Sequence, residues 1–382
     1  TAVHFRLALD RLPDFAAAHR NLGQTLLAQG EVRAAEQHYR KAIELDACDA
    51  GAHVALGDLL RQGGRLNEVE VHYRRAFELR PDDPRTGNAL GMLLQEQGRS
   101  DEALACHRRA LAAAPDSVAT LSSLAQAQFS LGLVDEAEAS FREALRLRPD
   151  IAMLHSNLLH FLTLSRAGEP ATVAAHRAFG DRIGTPLRPF WPVHDNPRDP
   201  ARRIRVGFVS ADFFQHAVAS FFEPILDYLS GCPDLELHAY FNGRIEDDVT
   251  ERLRGRFAHW QSVATWSDDA LFDAIRADGI DLLVDLSGHT GYNRLPVFAR
   301  KPAPVQASWI GYPGTTGLAA VDYFLCDRFL LPPGRFDDQF VEKIVRLPGI
   351  APFQPDPAAP PVNALPALEN GYVTFGSFNR PN

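Results

Sequence analysis

Cysteine is scarce in this 382-residue chain. Cys48, Cys106, Cys232 and Cys326 stand far apart and form no Cys-x-x-Cys pair, which argues against a disulfide scaffold and against a thiolate zinc site. Each reads as a small buried hydrophobe, and such usage fits a reducing, cytoplasmic setting. No apolar run reaches the roughly 18 residues that a membrane-crossing helix needs, so no membrane is expected as a partner. The opening residues show no leader pattern of basic charge followed by an apolar stretch. Positive charge is also short. Lys and Arg number 39 against 48 Asp and Glu, a net −9, which leaves no basic field for nucleic acid or anionic lipid. Arg108-Arg109 and Arg202-Arg203 read as solvated edges of helices or strands.

The strongest pattern present is a repeat. Leu22, Leu56, Leu90, Leu124 and Leu158 recur every 34 residues. So do Gly30, Gly64, Gly98 and Gly132, and so do Ala42, Ala76, Ala110 and Ala144. Tyr39, Tyr73, His107 and Phe141 form another column, and Pro81, Pro115 and Pro149 close successive units. Each column has a physical reason. Glycine takes the positive φ where one helix ends and turns. Alanine lets the second helix approach its neighbour, and proline cannot continue a helix. This is the helix–turn–helix pattern of the tetratricopeptide repeat. Four units fit residues 13–46, 47–80, 81–114 and 115–148. Phe5, Ala8 and Leu9 continue an earlier unit in register with Tyr39, Ala42 and Ile43, so more of the array is expected before Thr1. Such units stack into a solenoid with a long concave groove suited to extended peptide.

The pattern fades after Leu162. Residues 171–183 read as an amphipathic helix. Pro186, Pro189, Pro192, Pro197 and Pro200 then exclude regular helix or central strand, giving an ordered connector over 161–203. His176 and His194 in this stretch read as helix-face or surface histidines. From Ile204 short apolar runs alternate with helical stretches. Strands are expected at 204–209, 235–241, 280–286, 305–310, 323–326 and 343–347, with helices at 217–230, 246–257, 268–278 and 293–299. Apolar strands interleaved with helices predict a parallel sheet covered on both faces, with ligands beyond the carboxyl ends of the strands. Three strand-end loops stand out: Ser210–His216, Ser287–Gly291 and Gly311–Gly317. Glycines in the second and third admit close backbone approach to a ligand, and amides at a helix start, which the first loop opens, attract anionic oxygens. None is a G-x-G-x-x-G or P-loop, so dinucleotide and ATP binding are not supported.

Three blocks, RVGFVSADFFQH, GIDLLVDLSGHTGYNRLPVFARKPAPVQASWIGYPGTTG and GYVTFGSFNRPN, resemble successive parts of the catalytic region of the O-GlcNAc transferase and SPINDLY family, glycosyltransferase family 41. With the repeats, the resemblance spans nearly the whole chain and marks a bacterial-type member. It implies an α solenoid over 1–160 followed by an α/β unit over 204–369, the N-terminal Rossmann-like lobe of a GT-B glycosyltransferase. Residues 370–382 would begin the second lobe, and a lysine that neutralises the donor diphosphate would directly follow Asn382. On that reading residues 1–382 alone are inactive.

The implied activity is inverting transfer of GlcNAc from UDP-GlcNAc to serine or threonine of protein acceptors held by the repeat groove. No metal is implied, and no cofactor beyond the nucleotide sugar. The family's Asp-x-x-x-His falls on Asp212 and His216 as the proton-handling pair. Read only as structure, Asp212 would cap the next helix and His216 would pack in its first turn. Ile310, Gly311, Tyr312, Pro313 and Gly314 match a segment lying along the donor sugar through backbone groups, and His289 is placed at the cleft. Val218 replaces a threonine found in the animal enzymes, and Ile310 a common leucine. The family's groove carries an asparagine ladder, whose column here reads Asn21, Ala55, Ala89, Ser123 and Asn157. Only Asn21 and Asn157 keep the amide as acceptor-groove candidates, with plain helix surface as the other reading. Related branches use GDP-fucose or attach glucose to asparagine. A non-catalytic repeat scaffold, or an enzyme acting on lipid or polysaccharide, completes the range of functions.

Overall fold

A computed structural model of the chain describes residues 2–349. The block 370–382, expected to open a second lobe, lies outside the described residues, as does 350–369. The chain divides into two compact units between Asp150 and Ile151.

The first unit is helical throughout: α1 Ala2–Arg11, α2 Ala16–Ala28, α3 Val32–Leu45, α4 Ala50–Gln62, α5 Leu66–Leu79, α6 Pro84–Glu96, α7 Ser100–Ala113, α8 Val118–Ser130 and α9 Val134–Leu147. Asp49, Asp83 and Ser117, again 34 residues apart, cap α4, α6 and α8 by accepting the backbone N–H of Ala52, Arg85 and Thr120. The turn glycines Gly30, Gly64, Gly98 and Gly132 have φ of +82°, +72°, +77° and +73°. A second glycine column escaped the sequence reading. Gly23, Gly57 and Gly91 face the rings of Tyr39, Tyr73 and His107, and a Cβ on them would meet those rings at 2.8, 2.4 and 2.5 Å. The ring column therefore packs directly on helix backbone, which draws the two helices of a unit together.

The second unit begins with α10 Ala152–Ser165 and α11 Pro170–Phe179. The observed division falls at 150, not at 160, because α10 keeps the repeat's leucine column yet packs Leu159 into the α/β core with Phe179 and Leu318. The helix expected over 171–183 ends at Phe179 and passes through a π-helical turn, Gly180–Gly184, into a 3₁₀ turn, Thr185–Phe190. The proline-rich connector is pinned to this unit. Trp191 Nε1–H donates to the Ala299 carbonyl at 2.9 Å, and Asn196 and Arg202 both bond Asp281.

Among the described residues seven parallel strands follow: β1 Ile204–Ser210, β2 Leu235–Phe241, β3 His259–Ser262, β4 Leu282–Asp285, β5 Val305–Trp309, β6 Tyr323–Asp327 and β7 Lys343–Leu347, in spatial order 3-2-1-4-5-6-7. Alternate residues feed opposite faces. Val206, Phe208, Val284 and Trp309 pack with Phe222 and Leu226 of α12 Ala217–Ser230 and with Leu253 of α13 Asp248–Arg254. Val209, Tyr240 and Leu283 pack on the other face with α10, α11, α14 Asp268–Ala277 and α15 Leu295–Phe298. The expected helices at 246–257 and 293–299 are shorter than read. Cys106 and Cys326 are buried, but Cys48 is exposed and Cys232 half-buried, which corrects the uniform reading of the cysteines.

Candidate functional site

The strand order turns back at β1, whose two neighbours are β2 and β4. At such a switch point two strand-end loops diverge and leave a crevice. Asp285 of β4 pairs with Val209 of β1 and Ser308 of β5. The loops after β1, β4 and β5, the three singled out in the sequence, are thus neighbours on one edge of the sheet.

The β1 loop carries Asp212 and His216. Ser210 is fully buried, and its Oγ accepts the Asp212 N–H at 3.0 Å, which turns the chain away from the strand. Asp212 Oδ2 then lies 3.9 Å from His216 Nδ1. His216, not Asp212, caps α12: its Nδ1 accepts the Val218 N–H at 3.2 Å. A ring nitrogen that accepts carries no hydrogen, so the hydrogen of the neutral ring sits on Nε2. The His216 side chain is 42% exposed against 16% for Asp212. Burial raises the Asp212 carboxyl above its ordinary value, with His216 opposing the shift. The pair therefore presents an open imidazole N–H beside a carboxylate made more basic by its surroundings.

The β4 and β5 loops interlock. Asp285 is buried at the end of β4 and accepts from the N–H of Ser287 and Gly288 and from Ser308 Oγ, at 3.1, 2.9 and 2.8 Å. Burial pushes its carboxyl up to about 6. Gly288, at φ +55°, is the seat for Tyr312, since a Cβ there would lie 2.2 Å from the Tyr312 Cβ. Gly311 lies against the Leu286 carbonyl so closely that a Cβ would come within 1.8 Å of it. To reach that position Ile310 adopts φ +62°, a left-handed conformation that costs a β-branched residue about 1–2 kcal/mol. Buried Glu342, just before β7, holds the far side of this loop, accepting Thr315 Oγ1–H at 2.6 Å, the Thr316 N–H at 2.7 Å and the Thr316 hydroxyl.

The Tyr312 ring is buried. Its hydroxyl meets Thr163 Oγ1 at 2.5 Å and His176 Nε2 at 2.8 Å. His176 donates Nδ1–H to the Thr172 carbonyl at 2.8 Å, so its Nε2 is an acceptor for the tyrosine. This corrects the surface reading of His176, which is 3% exposed. His194 is half-buried, with Nδ1 2.8 Å from the Arg276 guanidinium. His289 is equally interior. Its Nε2–H donates to the Thr316 carbonyl at 3.0 Å and its Nδ1 faces Ser156 Oγ at 3.0 Å. Burial, with His176 nearby, holds it well below the ordinary histidine range, so it stays neutral. Its ring stacks edge-on to Tyr312 at 5.2 Å. In this arrangement His289 braces the loop that carries Tyr312, Pro313 and Gly314 and is closed off from the surface.

Asn21 lies half-buried on α2 in the first unit, and Asn157 half-buried on α10 in the second, next to Ser156. A cavity of about 320 Å³ opens at the carboxyl end of β2, lined by Met153, Asn242, Arg244, Tyr292, Arg294 and Pro296 among others. The sequence reading missed Asp285, Glu342, Ser156, Thr163 and His176 as supports. Asp285 did carry a signal, an acid closing an otherwise apolar strand.

The model for glycosyl transferase family 41 matches residues 151–352, and tetratricopeptide repeat models match 16–47, 50–83 and 82–150. The probable UDP-N-acetylglucosamine–peptide N-acetylglucosaminyltransferase SPINDLY of Arabidopsis thaliana is 40% identical over 218 residues, 54% of this chain and 23% of its own. The SPINDLY protein of Petunia hybrida is 36% identical over 239 residues, 59% of this chain and 24% of its own. Among solved structures, a mutant O-GlcNAc transferase from Thermobaculum terrenum aligns with a TM-score of 0.73 at 34% identity, covering 82% of this chain and 60% of that one. The chain spans about a quarter of the length of these curated relatives.

Proposed function

With more than half its length matched to that model, this chain belongs to glycosyl transferase family 41, and we propose that the protein it represents transfers a sugar from a nucleotide sugar to a hydroxyl of a protein acceptor. The donor in this reading is UDP-N-acetylglucosamine, as the names of the SPINDLY relatives state for those proteins, and the Thermobaculum neighbour is named an O-GlcNAc transferase. The acceptor is serine or threonine, with the repeat groove holding the surrounding polypeptide.

The observation that carries the reading is the Asp212–His216 pair at the sheet's switch point. As the acceptor Oγ forms its bond to the anomeric carbon, the bond from that carbon to the diphosphate oxygen breaks and the nucleotide leaves. The hydroxyl proton passes to the Asp212 carboxylate, directly or through one water. His216, with its hydrogen on the outward Nε2, donates to an oxygen of donor or acceptor and fixes the line of attack. The Ile310–Gly314 bend presents main chain to the same edge, and its rigidity comes from Asp285, Glu342 and the buried Tyr312. No resident metal takes part.

The test uses the full-length protein with peptide acceptors and mass-spectrometric readout. Wild type is expected to add N-acetylhexosamine from UDP-GlcNAc, with EDTA leaving the rate unchanged, and Asp212→Asn to lose about 10²–10⁴-fold while keeping its circular dichroism. Transfer from GDP-fucose instead would reassign the donor. No transfer and no donor hydrolysis with any nucleotide sugar would leave a scaffold.

A further inference from the structure

Away from these loops, one carboxylate and two imidazoles converge on one face of the sheet. Glu236 is the second residue of β2, so it sits toward the strand's amino end, opposite the edge that carries Asp212. Glu236 and His238 are two apart on β2 and share a face, and His238 is directly opposite His259 on β3. Glu236 Oε1 lies 3.2 Å from His238 Nε2 and 3.2 Å from His259 Nε2. The two rings stack at 4.3 Å with 28° between their planes. Among the described residues this is the one group of three His, Cys, Asp or Glu whose ligating atoms all lie within 4.8 Å of one another.

Separations of about 3.2 Å suit the edges of a tetrahedron around an ion held at roughly 2.0–2.2 Å. A second observation points to a cation. The His238 side chain is 6% exposed, and its Nδ1 is buried with no hydrogen-bond partner, 3.9 Å from the Asp278 carboxylate. While Nε2–H donates to Glu236, that Nδ1 is a lone pair facing a carboxylate. A cation on Nε2 moves the ring hydrogen to Nδ1, where Asp278 can receive it, the carboxylate–histidine–metal arrangement of many protein sites. Asp278 is already held for that task by Tyr240 Oη at 2.6 Å and Gln261 Nε2 at 2.9 Å. One cation opposes the set: Arg205 Nε lies 3.7 Å from Glu236 Oε1, and its Nη1 donates to the Asp278 main-chain carbonyl at 3.1 Å.

We propose that Glu236, His238 and His259 form a binding site for a divalent transition metal, zinc in the first instance, which staples the edge strand β3 to β2. β3 has four residues and pairs with β2 alone, so a ligand bond across that pair replaces hydrogen bonds that the edge lacks. The site is structural and takes no part in sugar transfer.

The chain, freed of metal with EDTA, is titrated with Co²⁺ and then Zn²⁺. One equivalent of Co²⁺ is expected to give the visible bands of a low-coordinate nitrogen/oxygen site, Zn²⁺ to bleach them, and saturating Zn²⁺ to raise the unfolding midpoint. His259→Ala alters a ring that is 52% exposed. It should keep its metal-free midpoint, weaken binding at least tenfold and lose the Zn²⁺-dependent rise, with Glu236→Gln doing the same. The rival ligands are the histidine pairs of the repeats, His19/His38 and His53/His72, whose Nδ1 atoms approach at 2.8 and 3.1 Å. His38→Ala and His72→Ala should leave the stoichiometric site intact. No stoichiometric binding by wild type, or binding that His259→Ala leaves unchanged, overturns the proposal.

Discussion

Two aspartates at neighbouring strand ends are both raised by burial, and the use made of each differs with its partners. Asp285 spends its carboxylate oxygens on Ser287, Gly288 and Ser308 inside the protein, whereas Asp212 has one oxygen near an open imidazole. The linkage is specific for Asp285. Its carboxyl moves from 3.8 to about 6 on folding, so its contribution to stability is fully present below 3.8 and is lost as pH rises through about 6. Asp285→Asn carries no such ionisation, though it leaves one loop N–H without an acceptor. Wild type should therefore exceed this variant by most near pH 4, with the gap narrowing by a few kcal/mol toward pH 7, measured by urea unfolding at each pH. A gap independent of pH would show that Asp285 is not raised. Asp212 predicts a kinetic counterpart. A base must be ionised, so kcat/KM of the full-length enzyme should fall as pH falls through a value above the ordinary 3.8, and Asp212→Asn should abolish that limb.

At the scale of elements, the two glycine columns of the repeats act by different physics. Gly64 has open space around a Cβ but sits at φ +72°, so Gly64→Ala should cost about 1–2 kcal/mol through the backbone, and Gly64→Asn less. Gly57 is helical, and alanine there gains about 1 kcal/mol of helix propensity. A Cβ 2.4 Å from the Tyr73 ring forces the helix pair apart, however, at about 1–3 kcal/mol. Gly57→Ala should thus be near neutral or destabilising, and adding Tyr73→Leu should recover the difference; thermal melts of the four variants decide it. The turn column was legible in the sequence because a turn constrains one residue type at one spacing. The packing column was not, because its partner stands on another helix. For the same reason β3 escaped: His-Trp-Gln-Ser at a sheet edge has no apolar run, and only its neighbour β2 makes it a strand. The strand-end loops could be read from glycine, histidine and aspartate together. Their supports could not, since Ser156, Thr163 and His176 reach His289 and Tyr312 across more than a hundred residues of chain.

Across the whole molecule, the proposed function would assign chemistry and recognition to different units, one a parallel sheet with three neighbouring strand-end loops and the other a linear array of helices. The array ties its units with a charge ladder that itself repeats. Arg40 and Arg65 share Glu36 and Glu68, and 34 residues later Arg74 and Arg99 share Glu70 and Glu102. The guanidiniums of Arg99 and Arg74 hold Glu70 down to about 2. On that reading, contacts of the array to an acceptor would bind residues other than the reacting hydroxyl and be equal in ground and transition states. They should appear in KM and leave kcat alone. Asn21, one of the two groove candidates, permits a point test within the intact enzyme. A side-chain amide bonded to acceptor backbone is worth about 0.5–1.5 kcal/mol, a factor of roughly 2–12 in binding. Asn21→Ala should raise KM for protein acceptors by that factor, with kcat unchanged. Turnover of an acceptor peptide too short to extend along the repeats should not respond at all. Equal losses on long and short acceptors would mean that Asn21 supports the helix α2 and not the substrate, and the groove would then have to bind through other side chains.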